Sequence, residues 1–307
     1  MRNTYLKMLY DFAQKDDRVV SLVADNGVIV YDNFMNDFPD RFYNFGISEG
    51  HMVSAAAGMA SCGLIPYVYT VSAFLAYRSY EFIRDDVCYQ NQNVKIVGIG
   101  TGLTYSTLGP SHHTTEDIAL LRSLPNMTVF SPATREEVKW VMKQSYEIVG
   151  PVYIRLSNNN EEYYQTDQEF ELGVPTQVKQ GNRIAIFVTG SIASVAVHVA
   201  KEFEVEGIHI AVYSVHTLKP LAEGKIAKLI ADYEKIVILE EHNMIGGLYS
   251  AFAEVMLAQK MNKPVLNIGL NDQFAVGYGT IGEVRKANGL DEDSVYSKIK
   301  EYISQET

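Results

Sequence analysis

From the amino terminus to about residue 155, short runs of β-branched and other apolar residues alternate with stretches whose apolar positions recur at helical spacing. Val19–Ala24, Ile65–Val71, Val94–Gly98, Met127–Phe130 and Val152–Ile154 read as strands. Near-continuous apolar runs belong to strands buried on both faces, so this half predicts a doubly wound, mainly parallel sheet with helices in the gaps. Residues 158–181 are polar, poorly periodic and carry Gly173 and Pro175, the pattern of a linker. Beyond it, Ile184–Thr189, Ile208–Tyr213, Ile236–Leu239 and Val265–Ile268 read as strands. Ser194–Glu206 and Gly246–Gln259 are amphipathic stretches between them, and Asp291–Tyr302 reads as a final helix. The expected organisation is α/β throughout: a doubly wound domain over 1–157, a linker, and a smaller doubly wound domain over 182–307. In such sheets ligands lie outside the carboxyl ends of the strands, so active residues are sought in the loops that follow them.

Composition narrows the function classes. With 307 residues, 47% of them hydrophobic and 21% charged, the chain can build about two sizeable cores. The net charge is −11 and no stretch concentrates Lys and Arg, which argues against nucleic acid as a partner. The opening residues lack an apolar signal core and no uncharged apolar run is long enough to span a membrane, so neither a signal peptide nor a span is expected. Cys62 and Cys88 lie far apart in apolar helical contexts and read as buried, reduced thiols, consistent with the cytoplasm.

Three segments carry candidate chemistry. In residues 44–60, Glu49 stands between Gly46 and the uncharged run Met52–Ala60. That run predicts a helix pressed on by several neighbours, whose first turn lies at the edge of a core. Glu49 would then be partly buried, where a carboxylate requires a partner or a proton. Taken alone, it is equally a carboxylate placed at a helix start by the macrodipole. After the strand ending at Val71, Phe74, Tyr77 and Tyr80 recur every third residue, giving one stripe on a helical turn at the mouth of a strand. Such a stripe is either core or a surface for a flat heteroaromatic ligand. The third segment is the glycine-rich loop Ile99–Asp117, which contains Gly109-Pro110-Ser111-His112-His113. Adjacent side chains diverge and no further His or Cys is suitably spaced, so no metal site is expected. Neither standard nucleotide-binding glycine motif is present. Histidines in such a loop can hydrogen-bond a polar substrate and move protons.

Taken in order, these segments resemble the pyrimidine-binding domain of thiamine diphosphate enzymes, specifically the transketolase family. Gly46-Ile47-Ser48-Glu49 with Met52 and Ala55–Ala60 resembles the glutamate motif, Phe74–Tyr80 the aromatic pocket, and Gly109–His113 the Gly-Pro-Thr-His substrate loop. Leu239-Glu240-Glu241-His242-Asn243-Met244-Ile245-Gly246-Gly247-Leu248 is similar to the opening motif of a helix in the family's C-terminal domain. The resemblance implies that Glu49 hydrogen-bonds N1′ of the aminopyrimidine and favours its imino tautomer. It also implies that Phe74, Tyr77 and Tyr80 pack around that ring, with Asp25 nearby. His112 would contact substrate oxygens, with His113 and Arg78 as further contacts. The reaction implied is transfer of a two-carbon ketol unit from a ketose to an aldose, the cofactor acting as electron sink.

The chain also departs from that pattern. It lacks the Gly-Asp-Gly sequence with which the family holds Mg²⁺ and the diphosphate. The resemblance therefore implies that these are supplied by a second polypeptide, in a split enzyme with two copies of each subunit, and that this chain alone turns over nothing. Leu108 stands where an acidic residue is expected, Gly100 where a histidine is expected, and Asn158 where a phosphate-binding arginine is expected, with Arg155 close by. These changes point away from an ordinary pentose-pathway sugar phosphate and leave Arg78, Arg155 and His113 as the contacts. The rival readings are the β subunit of a 2-oxoacid dehydrogenase, a 1-deoxyxylulose-phosphate synthase-like enzyme, and a degenerate regulatory subunit.

Overall fold

Every segment read as a strand is one. The computed structural model describes residues 1–25, 28–157, 164 and 168–305. Its strands are β1 (Val19–Val23), β2 (Phe42–Asn44), β3 (Ile65–Val71), β4 (Lys95–Ile99), β5 (Thr128–Phe130), β6 (Val152–Leu156), β7 (Thr176–Lys179), β8 (Ile184–Thr189), β9 (Ile210–Ser214), β10 (Thr217–Lys219), β11 (Lys235–Asn243) and β12 (Val265–Leu270). The first sheet runs β10-β5-β6-β4-β3-β1-β2 and the second β12-β11-β8-β9-β7. All pairings are parallel except β10 on β5 and β7 on β9. Helices occupy the expected places, including Glu49–Ser61, Ala193–Val205, Leu248–Ala258 and Glu292–Ser304.

Three departures matter. β7 falls inside the stretch read as linker and forms an edge of the second sheet. β10, which follows β9, crosses back to pair with β5, so the second half of the chain contributes a strand to the first sheet. Finally, β11 runs four residues past its expected end, so Glu240–Asn243 close a strand and the helix begins only at Leu248. The part of the expected linker over 158–163 and 165–167 lies outside the described residues, as does Asn158.

Strand periodicity explains how the cores divide. Val20, Leu22 and Val68 face one side of the first sheet while Val19, Val23, Tyr67 and Tyr69 face the other. In β8, Ala185 and Phe187 join the same core as Val20, whereas Ile184, Ile186 and Val188 face a separate one. One apolar core is thus continuous between the two sheets, and with β10 it fastens the two domains together.

Cys88 is buried, and burial pushes its thiol up to about 12. Cys62 corrects the expectation: it ends the helix Glu49–Ser61 and is exposed. A neutral thiol-alkylating reagent should therefore add one label to the folded chain, at Cys62, by intact-mass and peptide analysis. Labelling of Cys88 before unfolding would contradict this placement. No helix among the described residues is long and apolar enough to cross a membrane.

Candidate active site

Except for Arg155, which lies in β6, the predicted residues follow the carboxyl ends of β1 to β4. Asp25 follows β1, exposed and in the left-handed region at φ 46°. Its N–H donates to Asn44 Oδ1 at 3.2 Å, which also accepts from Gly46 N–H at 2.9 Å. Asn44 thereby ties the turn after β1 to the approach to Glu49.

Glu49 is the first residue of its helix and only 2% exposed, as its sequence context predicts. Arg78 Nη1 donates to Glu49 Oε2 at 2.9 Å, while the Arg78 side chain is 53% exposed and reaches the carboxylate from the solvent side. The same guanidinium lies 5.0 Å from the centre of the Phe74 ring, at cation–π distance. Phe74 meets His112 edge to face at 5.1 Å, and His112 Nδ1 is 3.0 Å from Ser111 Oγ. Tyr105 also meets His112 edge to face, with ring centres 6.2 Å apart. Glu49, Arg78, Phe74, His112 and Tyr105 therefore form one contiguous group.

The aromatic stripe is only partly what its spacing predicts. Phe74–Arg78 winds as a π-helix, whose wider turn breaks the three-residue repeat. Tyr77 Oη donates to Glu116 Oε2 at 2.5 Å and accepts from the N–H groups of Thr115 and Glu116 at 3.0 and 3.1 Å. It satisfies free N–H groups at the approach to the helix Asp117–Arg122. Tyr80 Oη lies 3.3 Å from Ser123 Oγ, at the far end of that helix. The three rings follow the 112–123 segment, and of the three it is Phe74 that meets the His112 ring.

Arg155 is placed differently from expectation. It is 3% exposed, and its Nε donates to Asp117, which is fully buried, at 2.9 and 3.2 Å. Its Nη2 donates to the carbonyls of Thr114 and Glu241. Tyr153 Oη donates to Asp117 at 2.7 Å and lies 2.6 Å from Ser72 Oγ. This network links the end of β3, just before Phe74, to the end of the His112 loop, and leaves Arg155 no surface with which to meet a ligand. His113 also turns inward, 2% exposed, and neither ring nitrogen has a hydrogen-bond partner. Burial pushes its pKa down, with the nearby Glu241 pulling the other way.

The Glu240–Asn243 motif serves the domain junction. Glu240 accepts from the N–H groups of Leu248 and Tyr249 at the start of a helix, while burial raises its carboxyl above the ordinary value. Glu241 accepts from Leu103 N–H in the glycine-rich loop and from Arg285. Asn243 N–H donates to Thr115 O at 2.7 Å, and His242 Nε2 accepts from Ala119 N–H at 3.4 Å. The second domain thus props the loop that carries His112. Sequence reasoning missed Tyr105, Glu116, Asp117 and Tyr153; only Gly100, whose bare backbone makes room for the Tyr105 ring, signalled any of them. Among the described residues, no group of three or more His, Cys, Asp or Glu side chains is arranged to hold a metal ion.

Comparison with known proteins identifies the family. Residues 1–162 match the model of the transketolase pyrimidine-binding domain and residues 174–295 that of the transketolase C-terminal domain. The chain belongs to the transketolase family. It is 36% identical over 310 residues to a Methanocaldococcus jannaschii protein named as a transketolase C-terminal section, covering 100% of this chain and 97% of that one. A 6-deoxy-6-sulfo-D-fructose transketolase subunit from a Clostridium species is 33% identical over 276 residues, covering 89% of this chain and 85% of that one. Among solved structures, a split-gene transketolase described as an inactive β4 tetramer superposes with a TM-score of 0.88 at 36% identity. That match covers 98% of this chain and 97% of the other. The matches cover 85% to 97% of these relatives' own length.

Proposed function

We propose that this chain is the pyrimidine-binding subunit of a split, thiamine diphosphate-dependent transketolase that moves a two-carbon ketol unit from a ketose to an aldehyde acceptor. The observation that carries the reading is the buried Glu49, held at a helix start within one group with Arg78, Phe74 and His112. These residues suit the aminopyrimidine end of the cofactor: a carboxyl to hold a proton at N1′, an aromatic ring beside it, and an imidazole toward the substrate. They do not suit the diphosphate end, since the sequence has no Gly-Asp-Gly and the described residues form no metal cluster. A partner resembling the N-terminal half of transketolase would supply Mg²⁺ and diphosphate contacts, in a cytoplasmic complex with two copies of each chain. When bound, thiamine diphosphate supplies the electron sink that allows the carbon–carbon bond beside a ketone to break.

Within this chain, Glu49 would hold the aminopyrimidine end of the cofactor through its carboxyl, which accepts from Arg78 at 2.9 Å when no cofactor is there. Arg78, half exposed, has room to withdraw. His112, fixed by Phe74, Tyr105 and Ser111, hydrogen-bonds the donor and acceptor oxygens. Asp25, Tyr77 and Tyr80 shape the surrounding wall, His113 supports the loop from beneath, and Arg155 fixes the loop's end. With Arg155 engaged internally and Leu108 and Gly100 in place of polar side chains, the site favours an acceptor other than an ordinary pentose-pathway sugar phosphate. The test is turnover of a ketose–aldose pair by this chain purified alone and after mixing with its partner. Activity only in the mixture is expected. Turnover by the single chain would overturn the split-site reading.

A further inference from the structure

The loop that carries His112 is held at its base by a residue of the second domain. Its leading and trailing limbs meet where Gly102 and Thr114 exchange both backbone bonds, at 3.0 and 2.9 Å. Glu241, near the end of β11, reaches both limbs. Its Oε2 accepts from Leu103 N–H at 3.0 Å, and its main-chain carbonyl shares the Arg155 Nη2 donor with that of Thr114. Gly102 lies in the left-handed region at φ 63°, and a Cβ there would come 2.1 Å from Glu241 Oε2. The loop backbone thus forgoes a side chain where the carboxylate enters. The Leu103 side chain is fully buried and belongs to the apolar core that β8, β9 and β11 of the second sheet face. Arg285, from the helix Ile281–Ala287, donates its Nε to the other carboxylate oxygen at 2.8 Å, and both side chains are buried.

We propose that Glu241 is a positioning residue for the sugar substrate: it fixes the base of the loop so that His112 meets the substrate oxygens, and it takes no part in the proton chemistry at Glu49. One carboxylate oxygen holds the loop while Arg285 holds the other, so the loop takes its position from the second domain. A misplacement of His112 by an ångström is enough to weaken its bonds to substrate. The inference deepens the ketol-transfer reading and rests on it.

The experiment compares wild type with two double variants, Glu241→Gln with Arg285→Met and Glu241→Leu with Arg285→Met. Both remove the buried ion pair without stranding a charge, and only the first keeps an oxygen for Leu103 N–H. Backbone amide exchange over 100–116 of the chain alone is expected to be faster in the Leu variant than in the Gln variant. In the assembled complex two rates are read. One is deuterium exchange at C2 of thiamine diphosphate, which needs no sugar. The other is aldehyde released in one turnover at subsaturating D-xylulose, D-fructose or their phosphate esters, whichever wild type cleaves fastest. The Leu variant is expected to lower aldehyde release about ten- to hundredfold with C2 exchange within about threefold of wild type, and the Gln variant to keep both. Equal loop protection or equal release in the two variants, or loss of C2 exchange together with release, would overturn the inference while ketol transfer stands. If wild type exchanges at C2 but releases no aldehyde from any of these ketoses, the ketol-transfer reading fails and the assignment falls with it.

Discussion

Glu49→Gln lowers turnover of the assembled complex by about two to four orders of magnitude, the usual worth of a positioned proton-transfer group. The substitution keeps the shape of the side chain and removes only its capacity to take or hold a proton. The helix Glu49–Ser61 gains little stability from this carboxylate beyond the bond from a half-exposed Arg78, so folding is expected to be unaffected. Steady-state kinetics on complexes of matched cofactor occupancy check the prediction. A rate within about threefold of wild type would remove Glu49 from the chemistry and favour a regulatory subunit.

Arg155→Met destabilises the chain by about 3–5 kcal/mol, because it leaves the fully buried Asp117 without its cation. Asp117 would retain the Tyr153 hydroxyl, but the Glu241 carbonyl would lose its bond from the guanidinium and that of Thr114 would keep only the one from Gly102 N–H. Denaturant unfolding measures the loss, and adding Asp117→Leu to the same chain is expected to recover most of it, since a buried pair replaced by apolar groups is often neutral. A loss below about 1 kcal/mol would show that the guanidinium is solvated and would return Arg155 to the list of substrate contacts.

That contrast marks where sequence reading succeeds and fails. Strand positions were legible because burial on both faces leaves almost no polar residue in a parallel strand, and Val19–Val23 and Ile184–Thr189 show this directly. Glu49 was legible because a single carboxylate before an uncharged helical run has few ways to be satisfied. The short strands β2, β7 and β10 carry too few residues to display a period, and β10 pairs with a strand nearly ninety residues earlier in the chain. Arg155 was misplaced because a strand arginine looks the same in sequence whether its partner is a ligand or Asp117, thirty-eight residues away. The π-helical turn at Phe74–Arg78 likewise has no simple sequence period, so equal spacing did not foretell that Phe74, Tyr77 and Tyr80 each meet a different part of the 112–123 segment. Tyr105 went unnoticed since its significance depends on Gly100, five residues earlier, being folded beneath it.

In the proposed enzyme, Glu49 governs the proton at the pyrimidine nitrogen of thiamine diphosphate held between this chain and a partner. Hydrogen–deuterium exchange at C2 of the cofactor in the assembled complex tests it most directly, because the measurement needs no knowledge of the sugar substrates. Exchange is expected to be much faster than for free cofactor with wild-type chain, and close to the free rate with Glu49→Gln. Equal acceleration by both chains would contradict it.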